Sequence, residues 1–315
     1  MDKALIMLHK LLSHIEAMRP RQWVKNGFVL APLVFAGQYH SIAAQLPLAL
    51  WAFLAFSLSA SGIYLLNDTL DYHRDQKHPK KSLRPIARGD VQRPVALILS
   101  CLLISISVLS AYHIMQNSAA TLVLVIYIIM NIAYSLGLKH LFLIDIFLIA
   151  IGFILRVSFG AFAIQVKLSP WLLLCTLFIA LFLALCKRRH ERKSLGEDAS
   201  QHRSILAQYS LPFLDQLILI AAAATIMCYA LYTIDPWVCQ RLNTNGLLLT
   251  IPLVLLGIFR YLGLVYQKEQ GGSPTQVVLK DRGIQVLVFL YLILSIYLIQ
   301  NQVHLDLTPQ ILSAS

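Results

Sequence analysis

Asn67, Asp68, Asp71 and Asp75 follow one another at spacings of one to four residues, at the end of an apolar run. If the helix of that run continues through them they share one face, because helical positions three and four apart stack. Hard oxygen donors stacked in this way suit Mg²⁺, which takes one or two carboxylates and completes its shell with water and substrate phosphate oxygens. Seven cations follow closely: Arg74, Lys77, Lys80, Lys81, Arg84, Arg88 and Arg93. Acidic ligands beside a dense set of bases are what a diphosphate with its metal would need. A solvated basic loop would account for the cations but not for the carboxylate spacing.

The elements that hold this run are membrane helices. Hydrophobic residues make up 58% of the 315-residue chain and charged residues 13%, about half the charged share of soluble domains. Apolar runs long enough to cross a hydrocarbon core lie near 26–43, 46–66, 94–114, 119–138, 141–163, 170–187, 212–233, 246–266 and 283–300. The expected fold is therefore an all-α integral membrane bundle of nine transmembrane helices. Residues 1–20 have helical amphipathicity and read as an interfacial helix. Residues 21–303 read as a single transmembrane domain and 304–315 as a short tail.

Of the 26 Lys and Arg, Lys167 and Arg241 alone fall on the far side of that topology, and Arg156 lies within a span. The positive-inside rule then puts the N-terminus, the 72–93 loop and the 187–211 loop on the cytoplasmic side. The formal charge of +11 is thus a property of loops, and no nucleic-acid partner is expected. The five cysteines form no C-x-x-C pair, so neither a disulfide framework nor a zinc site is expected.

Arg156 is the most informative single residue, since a cation inside the membrane is costly and is retained for a partner or a ligand. A carboxylate from another helix or an anionic ligand would serve. Asp145 is too far along the same helix, and reads either as a dipole partner near a helix start or as functional. Lys187, Arg188 and Glu191 emerge from the sixth span. They read either as an i,i+4 pair on a solvated helix end or as phosphate contacts. Arg19, Arg21 and Trp23 read as interface anchors, while Lys25 sits deep enough to reach a pocket. Arg260, Lys280, Asp281 and Arg282 flank the last inner loop, and Tyr64 and Tyr134 read as packing. No Ser-His-Asp or Cys-His arrangement is visible. Transfer from an activated diphosphate, which needs neither a strong base nor a covalent nucleophile, is the chemistry favoured.

The run Asn67–Asp75 in a nine-span bundle resembles the UbiA-type polyprenyltransferase superfamily over almost the whole chain. That superfamily carries a second aspartate-rich motif after the sixth span, where this sequence has Lys187-Arg-Arg-His-Glu191. Other stretches are similar to its decaprenyl-phosphate phosphoribosyltransferase branch. They are Arg19-Pro-Arg-Gln-Trp-Val-Lys-Asn26, His78 to Gly89, Gly137-Leu-Lys-His140 with Asp145, Arg156, Lys187-Arg188 with Glu191, and Lys280-Asp-Arg282. The resemblance implies a UbiA-like bundle around a cytoplasm-facing central cavity, in a bacterial-type inner membrane. It implies transfer of 5-phosphoribose from phosphoribosyl diphosphate (PRPP) to a polyprenyl monophosphate, with release of pyrophosphate. Mg²⁺ would sit at Asn67, Asp68, Asp71 and Asp75, and catalysis would rest on Asp68, Asp71 and Arg156. Substrate contacts would come from Lys25, Asn67, Lys81, Arg84, Lys139, Lys187, Arg188 and Glu191. A homo-oligomer is compatible with this reading. The alternative is a UbiA-type prenyl diphosphate transferase acting on an aromatic or other small acceptor.

Overall fold

The computed structural model describes residues 3–34, 39–77, 79, 81–195, 204–269 and 271–306. Helix α1 (Lys3–Ala17) leads into a 3₁₀ segment (Pro20–Leu30) and a short α2 (Ala31–Val34). The long α3 (Tyr39–Leu70) is followed by a short α4 (Tyr72–Gln76), then α5 (Arg93–Met115), α6 (Ser118–Leu136) and α7 (Ile144–Ala163). The second half holds α8 (Pro170–Leu195), α9 (Leu211–Ile234), a short α10 (Pro236–Leu242) and α11 (Ile251–Tyr266), then a short α12 (Pro274–Lys280) and α13 (Arg282–Gln300). Eight helices among the described residues are long and apolar enough to cross a membrane.

Local chemistry explains where these helices begin. Asn117 caps α6 by accepting from the N–H groups of Ala119 and Ala120, at 3.0 and 3.2 Å. Ser210, Asp235 and Asp281 cap α9, α10 and α13 in the same manner, satisfying donors that a first helical turn leaves open. Proline in the first turn of α5, α9, α10, α11 and α12 costs no hydrogen bond there.

The expected span over 26–43 takes a different form. Its first part is the 3₁₀ segment and α2, and residues 35–38 lie outside the described part. A 3₁₀ helix rises roughly 2.0 Å per residue against 1.5 Å for an α-helix, so these residues cover more depth than an α-helix of equal length. The segment runs along α7: Phe28 meets Phe153 edge-on at 5.0 Å, and Leu33 packs with Ala49 and Ile164. The contact is closest at Gly160, where a Cβ would stand 1.9 Å from the Val29 carbonyl oxygen.

Two cores follow from this packing. Phe56, Leu124, Tyr127 and Phe159 join α3, α6 and α7. Phe182, Ile218, Ala221 and Tyr261 join α8, α9 and α11. At one end of the bundle lie the close of α3 and α8 and the start of α7. Val166, Lys167 and Asp235 lie at the other end. The α1 helix leaves Met7, Leu8, Leu11 and Leu12 exposed. Its opposite side is tied down by Ser13 donating to Asp90 and Arg88 donating to Glu16. Of the expected tail, residues 307–315 lie outside the described part, while the Leu305 backbone exchanges two hydrogen bonds with the Asn245 side chain.

Candidate active site

The acidic run begins inside α3 and continues past its end. Asp71 ends the regular helix, yet its N–H reaches the Asn67 carbonyl at 2.9 Å and its own carbonyl takes the Asp75 N–H at 2.8 Å. The three carboxylates therefore emerge close together, at the end of the bundle where α1 and the 81–93 loop also lie. Each meets a cation from another part of the chain. Arg19 Nη2 donates to both oxygens of Asp68, at 2.6 and 2.5 Å. Arg84 Nη1 donates to Asp68 Oδ1 at 2.9 Å and to Asp75 Oδ2 at 2.6 Å. Lys139 Nζ, in the turn after α6, is 2.8 Å from each oxygen of Asp71. Burial pushes the Asp75 carboxyl up from its ordinary value, outweighing the pull of Arg84 and Lys81, and Asp68 pushes the same way.

The donor set fits a divalent cation. Arg84 Nη1 marks a point on which oxygens of Asp68 and Asp75 already converge. The buried Asp75 would be relieved by more positive charge. No three His, Cys, Asp or Glu side chains gather as a metal site among the described residues. Mg²⁺ does not need three, since two carboxylates with water and phosphate oxygens complete its shell. Asp71 is turned to Lys139, and Asn67 lies half-buried at the end of α3.

A second group of cations has few anions of its own. Arg156 is buried and has no carboxylate at ion-pair distance among the described residues. Its Nε donates to Asn26 Oδ1 at 3.0 Å, Nη1 to the Gly152 carbonyl at 2.8 Å, and Nη2 to the Tyr127 hydroxyl at 3.0 Å. The guanidinium carbon stands 5.0–5.3 Å from the ring centroids of Phe56, Tyr127 and Phe153. Asn26 is itself set by donating to Ser57 Oγ at 3.0 Å. Lys25, next in the chain, lies in the field of both Arg156 and Arg19. Lys187 is near enough to Lys25 for their charges to interact, and reaches Glu191 only at 3.7 Å. Arg19 thus stands between the two groups, holding Asp68 while bordering Lys25.

A third cluster behaves as support. Asp145 is 0% exposed and Arg188 1%. Arg188 Nε donates to Asp145 Oδ2 at 2.8 Å and Nη1 donates to Glu191. Tyr209 donates to Asp145 Oδ1 at 2.9 Å and accepts from the Leu143 N–H at 2.9 Å. Arg188 and Glu191, both expected as substrate contacts, are paired with each other, and Arg188 also holds Asp145, which stands in the first turn of α7. Arg19, expected as an interface anchor, grips Asp68 and lies 5.0 Å over the Tyr64 ring. Trp23 donates to Ser61 Oγ at 3.0 Å. Asp281 accepts from Arg260 and belongs to the fold of the last loop.

Sequence reasoning missed Asn26, Tyr127 and Tyr209 as partners. A buried arginine without a carboxylate calls for neutral acceptors, but nothing local says which.

The long apolar helices, with an acidic run gripped by cations at one end, define a helical integral membrane protein with a charged cluster at one end of its bundle. The chain belongs to the UbiA prenyltransferase family, whose model matches residues 28–299. It is 34% identical to the decaprenyl-phosphate phosphoribosyltransferase of Mycolicibacterium smegmatis, over 87% of this chain and 88% of that protein. It is 35% identical to the decaprenyl-phosphate phosphoribosyltransferase of Corynebacterium glutamicum, over 90% of this chain and 86% of that one. Its fold is similar to a UbiA homolog from Archaeoglobus fulgidus solved with GPP and Mg²⁺. The TM-score is 0.70 at 15% identity, covering 91% of this chain and 99% of that one.

Proposed function

We propose that this protein transfers 5-phosphoribose from PRPP to a polyprenyl monophosphate and releases pyrophosphate. One observation carries the reading beyond its relatives: a site in two parts that matches a donor with phosphate at both ends. One part holds carboxylates, Asp68 and Asp75, beside Arg19 and Arg84. The other holds Arg156, Lys25 and Lys187, with no carboxylate against Arg156 or Lys25 among the described residues. The first suits a diphosphate that arrives with a metal, and the second suits phosphate oxygens that arrive without one.

Asp68 and Asp75 would hold Mg²⁺, with Asn67 and Asp71 beside them, and Mg²⁺ when bound would offset charge on the departing diphosphate. The chain's own residues do the rest. Arg19, Arg84 and Lys81 border the diphosphate oxygens, and Lys139 fixes Asp71. Arg156 offers a planar fork to a phosphate, while Lys25 and Lys187 add point charges. An acceptor phosphate oxygen attacks the anomeric carbon. The bond to pyrophosphate breaks, its electron pair leaves with the diphosphate, and configuration inverts. The acceptor is already anionic and needs no base, in keeping with a site rich in cations. Arg188, Asp145 and Tyr209 hold the end of α8 that carries Lys187.

In this reading the 3₁₀ segment and α2 make a ninth crossing, and the central cavity opens to the cytoplasm. Helix α1 lies along the membrane surface through its exposed leucines. The isoprenoid tail enters between apolar helix faces. The test is purified protein with Mg²⁺, PRPP and a polyprenyl phosphate, run against prenyl diphosphate with an aromatic acceptor. Pyrophosphate and a phosphoribosyl lipid should form in the first mixture. Turnover in the second mixture alone would refute the proposal and establish the prenyl-transfer alternative.

A further inference from the structure

The end of the bundle opposite Asp68 carries its own cleft. It is open, about 610 Å³ in volume, and lined by Asn117, Phe162, Gln165, Lys167 and Trp237 among others. It continues into a tighter recess that adds Pro32, Leu172 and Arg241. Lys167 and Arg241 are the two basic residues that the charge distribution leaves at this end of the chain, and both line the same depression. Far-side segments are ordinarily poor in Lys and Arg, so two of them meeting at one cleft points to a common anionic ligand.

The geometry fixes one cation and leaves the other available. Arg241 Nη1 donates to the Lys167 carbonyl, and its guanidinium carbon lies 5.2 Å over the Trp237 ring. Lys167 is exposed, and neither residue forms an ion pair among the described residues. Asp235, at the same end, is already taken by the Trp171 indole N–H at 3.0 Å and by the Val238 N–H at 3.0 Å. Trp237 is 41% exposed, and indoles favour the membrane–water boundary. The remaining lining is largely apolar. Two cations at headgroup depth above apolar walls complement a phosphate that carries hydrocarbon chains.

We propose that this cleft binds one anionic phospholipid of the leaflet facing away from the active site, with Lys167 and Arg241 on its phosphate. The site is separate from the transfer chemistry and does not depend on the donor or acceptor assigned above. Purified protein in detergent, titrated with dioleoylphosphatidylglycerol or dioleoylphosphatidylcholine, would be read by native mass spectrometry for bound lipid. The wild type should retain one phosphatidylglycerol that phosphatidylcholine does not replace. Lys167→Gln should weaken that binding at least tenfold, and Lys167→Gln with Arg241→Gln should abolish it, with pyrophosphate release unchanged in Lys167→Gln. The single variant keeps the test open if the double variant fails to fold, because the Lys167 side chain is exposed. Equal retention by wild type and Lys167→Gln would overturn the proposal. So would equal retention of both lipids, or displacement of phosphatidylglycerol by inorganic phosphate, which would mark a free-anion site.

Discussion

Arg156→Lys is the sharpest perturbation of the proposed donor site. A guanidinium has five N–H donors. Three are engaged, by Asn26, Gly152 and Tyr127, which leaves one N–H on each Nη for the proposed phosphate. Lysine keeps the charge but loses the fork and the cradle that aims it. A hydrogen bond to a charged group contributes about 1.5–3 kcal/mol, so losing two costs about 3–6 kcal/mol. At about 1.4 kcal/mol per tenfold, kcat/KM for PRPP should fall by roughly 10²- to 10⁴-fold. Initial rates of pyrophosphate release across PRPP concentrations measure it, with the acceptor held constant. Asn26→Ala should give a smaller loss in the same direction, because it removes one cradle bond and leaves the fork. A kcat/KM within threefold of wild type for Arg156→Lys, in protein that melts normally, would refute the claim that this guanidinium grips substrate.

The other predictions follow from the carboxylates and from Lys25. Chelation with EDTA should stop pyrophosphate release and added Mg²⁺ should restore it, whereas Asp68→Asn should stay at least 10²-fold slow at any Mg²⁺ concentration. Asp145→Asn leaves the buried Arg188 short of a partner and should destabilise the protein by about 3–5 kcal/mol, seen as a lower melting temperature in detergent. Lys25→Gln should raise the KM for PRPP in the same initial-rate assay, and Lys25→Arg, which keeps the charge, should restore most of the loss.

Much of the site was visible in the order of residues, because its pieces are local. Asn67 to Asp75 sit within a few helical turns, and the cation Arg84 follows shortly after. Arg156 declared itself by standing in an apolar run. What stayed hidden depends on pairings across long separations. Arg19 reaches Asp68 across 49 positions because the chain turns there through a left-handed conformation, with φ 54°, before entering the 3₁₀ segment. No local pattern announces that bend, so a basic residue beside a tryptophan looked like an interface anchor. The pairing of Arg188 was hidden for the same reason: its partner Asp145 lies in the first turn of a different helix, 43 positions earlier. Nor did hydropathy distinguish a 3₁₀ run from an α-helix over 20–30, since mean apolar content is the same whether the chain turns every 3.0 or every 3.6 residues.

The seam at Gly160 has a consequence for engineering this protein. Replacing glycine by alanine in a helix is an ordinary route to greater robustness, since it narrows the freedom of the unfolded chain. At this position the added methyl would meet a backbone oxygen at 1.9 Å, which no side-chain rotation relieves. The neighbouring segment would have to lift, carrying Lys25 and Asn26 away from the guanidinium one helical turn along α7. A substitution chosen for heat tolerance would therefore register first as a displaced Asn26 and a loosened cradle around Arg156.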